Sequence, residues 1–133
     1  MSSDLMYGEI IMDYYRHPKN YGRLEKPDAA FRDVNPSCGD IVEVHLQIKD
    51  GMITDIRFSG KGCAISQAAC SMFTELVKEK ELEEARKIGK QEVLDMLGIP
   101  ISMARMKCAL LGLKVFKYAL YQYLGMHYED AES

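Results

Sequence analysis

Polar and apolar residues alternate along residues 41–49. The apolar members of this alternation are Val42, Val44, Leu46 and Ile48. A period of two predicts a strand with one buried face. Asp50 and Gly51 indicate a turn, so residues 53–59 are expected to return as the second strand of a hairpin. Residues 30–34 are interpreted as a short edge strand before the hairpin.

Burial predicts the register of this hairpin, because a slip of one residue moves every side chain to the opposite face. A strict two-residue turn would place Leu46 opposite Asp55, whereas a shift of one places Leu46 opposite Ile56. We expect the second register. It implies a bulged or longer turn over residues 50–52, despite the Asp-Gly pair.

The apolar period becomes helical in the rest of the chain. Helices are expected over residues 4–16, from just after Gly62 to about Lys80, over 81–88, over 91–97 and over 103–124. On the last helix, one apolar face is expected to carry Met106, Ala109, Leu110, Leu113, Phe116, Leu120 and Leu124, with Cys108, Leu111, Val115 and Ala119 on the other side. The order helix, strands, helices predicts an α+β fold: a small antiparallel three-stranded sheet covered by helices.

The size and charge of the chain restrict its class. Its 133 residues predict a single domain over 1–133, with residues 125–133 as a loose tail. A net charge of −3 argues against nucleic acid as a partner. No apolar run approaches the roughly 18 residues that span a bilayer, and the N-terminus lacks the features of a signal peptide. A cytoplasmic protein without membrane partners is therefore expected.

The four cysteines are the candidates for chemistry. Cytoplasmic thiols stay reduced, so these residues are read as metal or catalytic ligands before disulfides. The alternative for each is a buried apolar cysteine. Because none of Cys38, Cys63 and Cys108 belongs to a C-x-x-C pair, each of these three must come from a separate element.

Two of the cysteines have neighbours that favour a metal site. Cys38 and Asp40 point to the same side of an extended chain, and Gly39 between them permits close approach. Cys63 follows Gly62 at a predicted helix start, where the helix dipole favours the thiolate.

The third cysteine, Cys108, has Lys107 beside it and Arg105 three residues before it, and two cations also favour a thiolate. Three thiolates and one carboxylate make four ligands. They suit either a tetrahedral zinc ion or the two irons of a [2Fe–2S] cluster.

Cys70 is predicted to be a core residue. It follows Cys63 by seven residues, on nearly the same helix face but roughly 10 Å further along the axis. Sulfur ligands of one metal ion lie only about 4 Å apart. Cys70 is therefore excluded from the ligand set.

The motifs resemble the iron–sulfur cluster assembly scaffold family, which comprises IscU, the NifU N-terminal domain and SufU. The stretch 14–24 resembles the family's opening helix and loop. The contexts of Cys38-Gly39-Asp40, Gly62-Cys63 and Cys108 match its three ligand motifs in order, with the hairpin between the first two. The resemblance extends over most of the chain and implies an IscU/SufE-like fold.

The resemblance implies a scaffold or carrier rather than an enzyme. A cysteine desulfurase would deliver persulfide sulfur, iron would be added, and the [2Fe–2S] cluster would pass to acceptor apo iron–sulfur proteins. Cys38, Asp40, Cys63 and Cys108 carry over as cluster ligands. Cys108 is the first choice for the sulfur acceptor and Cys38 the second. A homodimer could shield an exposed cluster edge, although the sequence does not require one.

Departures from the family pattern leave two functions open, that of an IscU-like scaffold and that of a SufU-like protein. Typical IscU proteins have a histidine where this chain has Lys107, and residues 105–109 resemble SufU instead. The short segment between Cys63 and Cys108, however, is like that of IscU. The alternative function is therefore a SufU-like sulfurtransferase partner of a cysteine desulfurase, with zinc held in the cluster-free form. Residues 99–103 do not match the proline- and lysine-rich segment by which IscU is recognised by its chaperone.

Overall fold

The computed structural model describes residues 3–36 and 39–125 of the chain. Within these residues the elements are α1 (Ser3–Arg16), β1 (Ala29–Asn35), β2 (Asp40–Lys49), β3 (Met52–Lys61), α2 (Ala64–Val77), α3 (Leu82–Arg86), α4 (Lys90–Leu97) and α5 (Met103–Leu124). The strands form one antiparallel sheet in the order β1-β2-β3. The predicted α+β fold is confirmed. No helix in the described ranges has the length and apolar character needed to cross a membrane.

One face of the sheet forms the core. Its buried side chains on β2 and β3 are Val42, Val44, Leu46, Ile48, Ile53, Ile56 and Phe58. Helix α5 packs over β1 and β2, and α2 packs over β3 and against α5. Helices α2 and α5 therefore lie side by side over the apolar face of the sheet. This arrangement allows residues at their N-terminal ends to contribute to one site.

The predicted register of the hairpin is confirmed, because Leu46 pairs with Ile56. The register shifts further along the ladder, where Ile48 pairs with Ile53. Thr54 is thus the extra residue on β3, a bulge inside the ladder. The bulge keeps the apolar side chains of both strands on the core face.

The prediction of a bulged or longer turn over residues 50–52 is wrong. Lys49 pairs with Met52 across a two-residue turn. Asp50 and Gly51 both have positive φ, 53° and 76°, which is the backbone of a type I′ hairpin turn. The Asp-Gly pair therefore forms the tight turn that its chemistry favours, and the bulge at Thr54 absorbs the shift of register.

Helix α2 ends at Val77, three residues before the predicted end near Lys80. The helix ends here because the backbone groups that follow it form hydrogen bonds with β3. Ile53 donates its N–H to the Lys80 carbonyl at 2.9 Å and accepts the Glu79 N–H at 2.7 Å. Glu79 adopts a positive φ of 68° to make this turn. Pairing with the edge of β3 therefore overrides the helical pattern.

Helix α5 has the predicted bounds, and residues on both of its predicted apolar sides are buried, although to different degrees. Met106, Leu110, Leu113 and Leu124 are only partly buried. The buried positions are Cys108, Ala109, Leu111, Gly112, Val115, Phe116, Ala119, Leu120 and Tyr121. The difference arises because α5 is pressed against the sheet and α2 at the same time. This packing turns Cys108, at the N-terminal end of the buried face, inward.

Candidate metal centre

Asp40 begins β2 and is almost fully buried, with 1% of its surface exposed. Its Oδ1 accepts a hydrogen bond from the backbone N–H of Cys63 at 3.0 Å. Its Oδ2 lies 4.0 Å from the Cys63 sulfur. This contact ties the start of β2 to the start of α2, and it holds a carboxylate beside a thiol.

Gly62 makes this contact possible. A Cβ placed on Gly62 would collide with the Asp40 carboxylate. Any side chain at this position would therefore push Asp40 away from Cys63. The absence of a side chain at Gly62 therefore leaves space for the carboxylate beside Cys63.

Cys63 is the N-cap of α2, and its sulfur accepts the Ser66 backbone N–H at 3.4 Å. The side chain is half-buried. The free N–H groups of a helix N-terminus carry partial positive charge and can donate hydrogen bonds to a sulfur at this position. Cys63 therefore has both the electrostatic setting and the exposure of a metal ligand.

Cys108 lies in the second turn of α5 and is 2% exposed. The side-chain amide of Asn35, the last residue of β1, lies 4.0 Å from its sulfur. Asn35 pairs with Asp40 across the end of the β1–β2 ladder. The strand ends and the start of α5 therefore meet at this sulfur.

Asp40, Cys63 and Cys108 each offer one ligand atom, and these three atoms lie within 4.8 Å of one another. The sulfur ligands of a tetrahedral zinc ion are about 4 Å apart, so a small contraction brings the group to metal-binding distances. Two thiols with one carboxylate suit zinc or iron better than a hard cation such as Mg²⁺. The described members of the predicted ligand set are therefore brought together.

The fourth predicted ligand, Cys38, lies outside the described residues. Its neighbour Gly39 has a φ of 73° and donates its N–H to the Asn35 carbonyl at 2.8 Å. This positive φ is the unusual backbone conformation expected of the glycine between Cys38 and Asp40. Arg105 and Lys107 are exposed on α5, and their influence on Cys108 stays a prediction.

Cys70 is a core residue, as predicted. It is fully buried between α2 and α5, and a Cβ on Gly112 would lie only 2.7 Å from its sulfur. Burial, with a smaller contribution from the charge of Asp40, raises the pKa of the Cys70 thiol to about 12. Cys70 is therefore a neutral thiol at physiological pH, unsuited to binding metal.

Sequence reasoning missed the polar residues around the ligands. Asn35 carries its amide next to Cys108, and the Ser66 backbone N–H donates to the Cys63 sulfur. The position of Asn35 follows from the β1–β2 register, which pairs it with Asp40. Extending the predicted edge strand by one residue beyond Val34 would have brought Asn35 to the site.

Comparisons with known proteins agree with this geometry. The chain matches the family model of the NifU-like N terminal domain over residues 6–130. It is similar to the iron-sulfur cluster assembly scaffold protein IscU 1 of Archaeoglobus fulgidus, with 36% identity over 118 residues, which covers 89% of this chain and 76% of that protein. It is 31% identical to the zinc-dependent sulfurtransferase SufU of Bacillus subtilis, over 86% of this chain and 88% of the relative.

A solved structure gives the same result for the fold. The crystal structure of a nitrogen-fixing NifU-like protein (N-terminal) from Brucella abortus superimposes with a TM-score of 0.74 at 25% identity. The superposition covers 93% of this chain and 98% of that chain.

Proposed function

This chain belongs to the family of the NifU-like N terminal domain, and from that premise we propose that it is an iron–sulfur cluster assembly scaffold. The observation that carries the proposal is the convergence of Asp40, Cys63 and Cys108. These residues come from three separate elements, and two of them are buried. Ionisable groups are rarely buried together unless a metal or another charge compensates them.

The proposed cargo is a [2Fe–2S] cluster held by Cys38, Asp40, Cys63 and Cys108. Only Gly39 separates Cys38 from Asp40 in the sequence, and two residues of chain span at most about 7 Å. A carboxylate binds iron less strongly than a thiolate does, because it is the harder ligand. A site with three thiolates and one carboxylate therefore suits a cluster that is built and then given away.

We propose that a cysteine desulfurase delivers the sulfur as a persulfide, with Cys108 as the first choice of acceptor and Cys38 as the second. The acceptor thiolate attacks the outer persulfide sulfur, and the sulfur–sulfur bond breaks to return the desulfurase thiolate. Cys108 is 2% exposed, so the groups that cover it must move aside during this step. Each transferred sulfur must then gain two electrons to become sulfide; ferrous iron and an added thiol reductant supply them, the cluster forms, and apo iron–sulfur proteins receive it.

In this role the chain is a carrier and not an enzyme. The reduced cytoplasm is the compartment that keeps its thiols available. A homodimer that shields one edge of the cluster remains a prediction.

The second candidate function is that of a zinc-dependent sulfurtransferase. The similarity to the SufU protein of Bacillus subtilis favours it, as does Lys107 before the third cysteine. A single zinc ion would occupy the same ligands until a desulfurase engages. The chain would then pass sulfur on without building a cluster.

Anaerobic reconstitution with a cysteine desulfurase, cysteine and ferrous iron separates the two functions. The scaffold proposal predicts visible absorption from a bound cluster, with acid-labile sulfide that stays with the protein through gel filtration. Cys63→Ser is expected to lower the yield of this species, whereas Cys70→Ser should leave it unchanged. A colourless product with one tightly bound zinc ion per chain would contradict the scaffold role.

A further inference from the structure

Two buried polar groups in the first turns of α2 have no hydrogen-bond partner within the described part of the chain. They are the hydroxyl oxygen of Ser66 and the side-chain nitrogen of Gln67. Ser66 is fully buried and Gln67 is 7% exposed. Buried polar groups in folded proteins are nearly always hydrogen-bonded, so two adjacent exceptions call for a missing partner.

The packing of α2 on α5 shows where these groups lie. Cys70 of α2 lies against Gly112 of α5. One turn further along both helices, the ring centroids of Phe73 and Phe116 are 5.0 Å apart. The two helices therefore run in the same direction. One turn back along both helices, residues 66–67 of α2 come level with Cys108 of α5. Along the helix axes, the unpartnered groups are therefore level with Cys108.

The position of Cys63 at the start of the same helix further defines where Ser66 and Gln67 lie. Ser66 and Gln67 follow Cys63 by three and four residues, so they lie one turn below it and on either side of it. The ligand atoms of Cys63 and Cys108 are within 4.8 Å of each other. Helix geometry therefore places Ser66 and Gln67 beside the candidate metal centre, one turn along α2 from Cys63 and level with Cys108 of α5.

We propose that Gln67 and Ser66 are positioning residues that donate hydrogen bonds to sulfur in the loaded site. The acceptor is either inorganic sulfide or the sulfur of a ligating cysteine. This inference rests on the proposed function, since it requires that the site take a metal with sulfur ligands. An N–H or O–H directed at a metal-bound sulfur withdraws charge from it, stabilises the loaded state and tunes its electronic properties.

The experiment uses cobalt(II) as a spectroscopic probe of the full chain, with Gln67→Met as the main variant. Methionine keeps the length of the side chain and removes the donor. The expected result is an unchanged or higher melting temperature of the metal-free protein, because a buried unpaired donor is removed. Cobalt(II) affinity should fall about tenfold, the lower end of what such supporting groups contribute. The sulfur-to-cobalt charge-transfer band should move to longer wavelength, because the sulfur becomes richer in electrons.

Two further variants make the result decisive. Gln122→Met makes the same substitution at an exposed position of α5 and should match the wild type in every measurement. Ser66→Ala removes the other donor with almost no change of volume, and it provides the answer if Gln67→Met does not fold.

Two outcomes would contradict the inference, and the experiment tells them apart. If the wild type binds cobalt(II) but Gln67→Met and Ser66→Ala keep its affinity and spectrum, the two groups are structural and the inference is wrong. If the wild type itself shows no sulfur-to-cobalt band, the proposed function fails first and the inference fails with it.

Discussion

Asp40 is held against Cys63, because its carboxylate accepts a hydrogen bond from the Cys63 backbone N–H and lies beside the Cys63 sulfur. The absence of a side chain at Gly62 leaves the space for this contact. Asp40 is therefore both a candidate ligand and the group that fixes the position of Cys63. Both roles belong to the carboxylate, so a substitution that removes it tests them together.

Asp40→Ala is expected to slow the transfer of an assembled cluster to an acceptor apoprotein by about tenfold, the scale on which supporting groups at metal sites act. The weaker carboxylate bond is lost, and the iron is left to thiolates, which release it more slowly. The measurement is the rate at which the acceptor gains its cluster absorption under anaerobic conditions. Asp95→Ala, on the exposed face of α4, is the matched control. A transfer rate equal to that of the wild type would remove Asp40 from the release step.

At the scale of elements, the close approach of α2 and α5 aligns the ends that carry Cys63 and Cys108. Gly112 leaves space for Cys70, because a Cβ there would lie 2.7 Å from the Cys70 sulfur and an ordinary contact is at least 3.4 Å. Cys70 and Gly112 are therefore complementary in volume. This pair sets the spacing of the two helices one turn below the candidate site.

Gly112→Ala is expected to lower the free energy of unfolding by about 1–3 kcal/mol, because the added methyl group overpacks the helix interface. In a Cys70→Ala background the same substitution should cost little, since the smaller side chain leaves room for the methyl group. Urea denaturation of the four proteins of this double-mutant cycle gives the coupling between the two sites.

Gly8→Ala is the control for helix propensity. It is also a glycine within a helix, but a Cβ there meets no atom within 4 Å. It should leave stability unchanged or raise it by up to about 1 kcal/mol, as expected for alanine in place of glycine in a helix. Equal effects of Gly112→Ala with and without Cys70 would contradict this account of the interface.

Elements set by local pattern were predictable from the sequence, whereas those set by tertiary contacts were not. Alternating apolar residues gave the strands and the Leu46–Ile56 register, and a long helical pattern gave the bounds of α5. The end of α2 was not predictable, because the edge of β3 captures Glu79 and Lys80. The degree of burial on each side of α5 depends on its packing against both the sheet and α2. The helical period of the sequence alone does not predict how strongly each side is buried.

At the scale of the whole molecule, the fold brings together ligands that are far apart in sequence. The start of β2, the start of α2 and the second turn of α5 meet at Asp40, Cys63 and Cys108. These candidate ligands could be singled out from the sequence because their local contexts are distinctive. The unpartnered groups of Ser66 and Gln67 were not predictable, because their burial depends on how α2 packs in the fold.

Metal and acid-labile sulfide analysis of the protein prepared anaerobically tests the central claim most directly. A cluster scaffold should contain iron and labile sulfide in equal amounts, as a [2Fe–2S] cluster requires. Cys63→Ser and Cys108→Ser should lose both together, because each removes a ligand of the same centre. One equivalent of zinc, without iron or labile sulfide even after reconstitution, would contradict the scaffold account and favour zinc-dependent sulfur transfer.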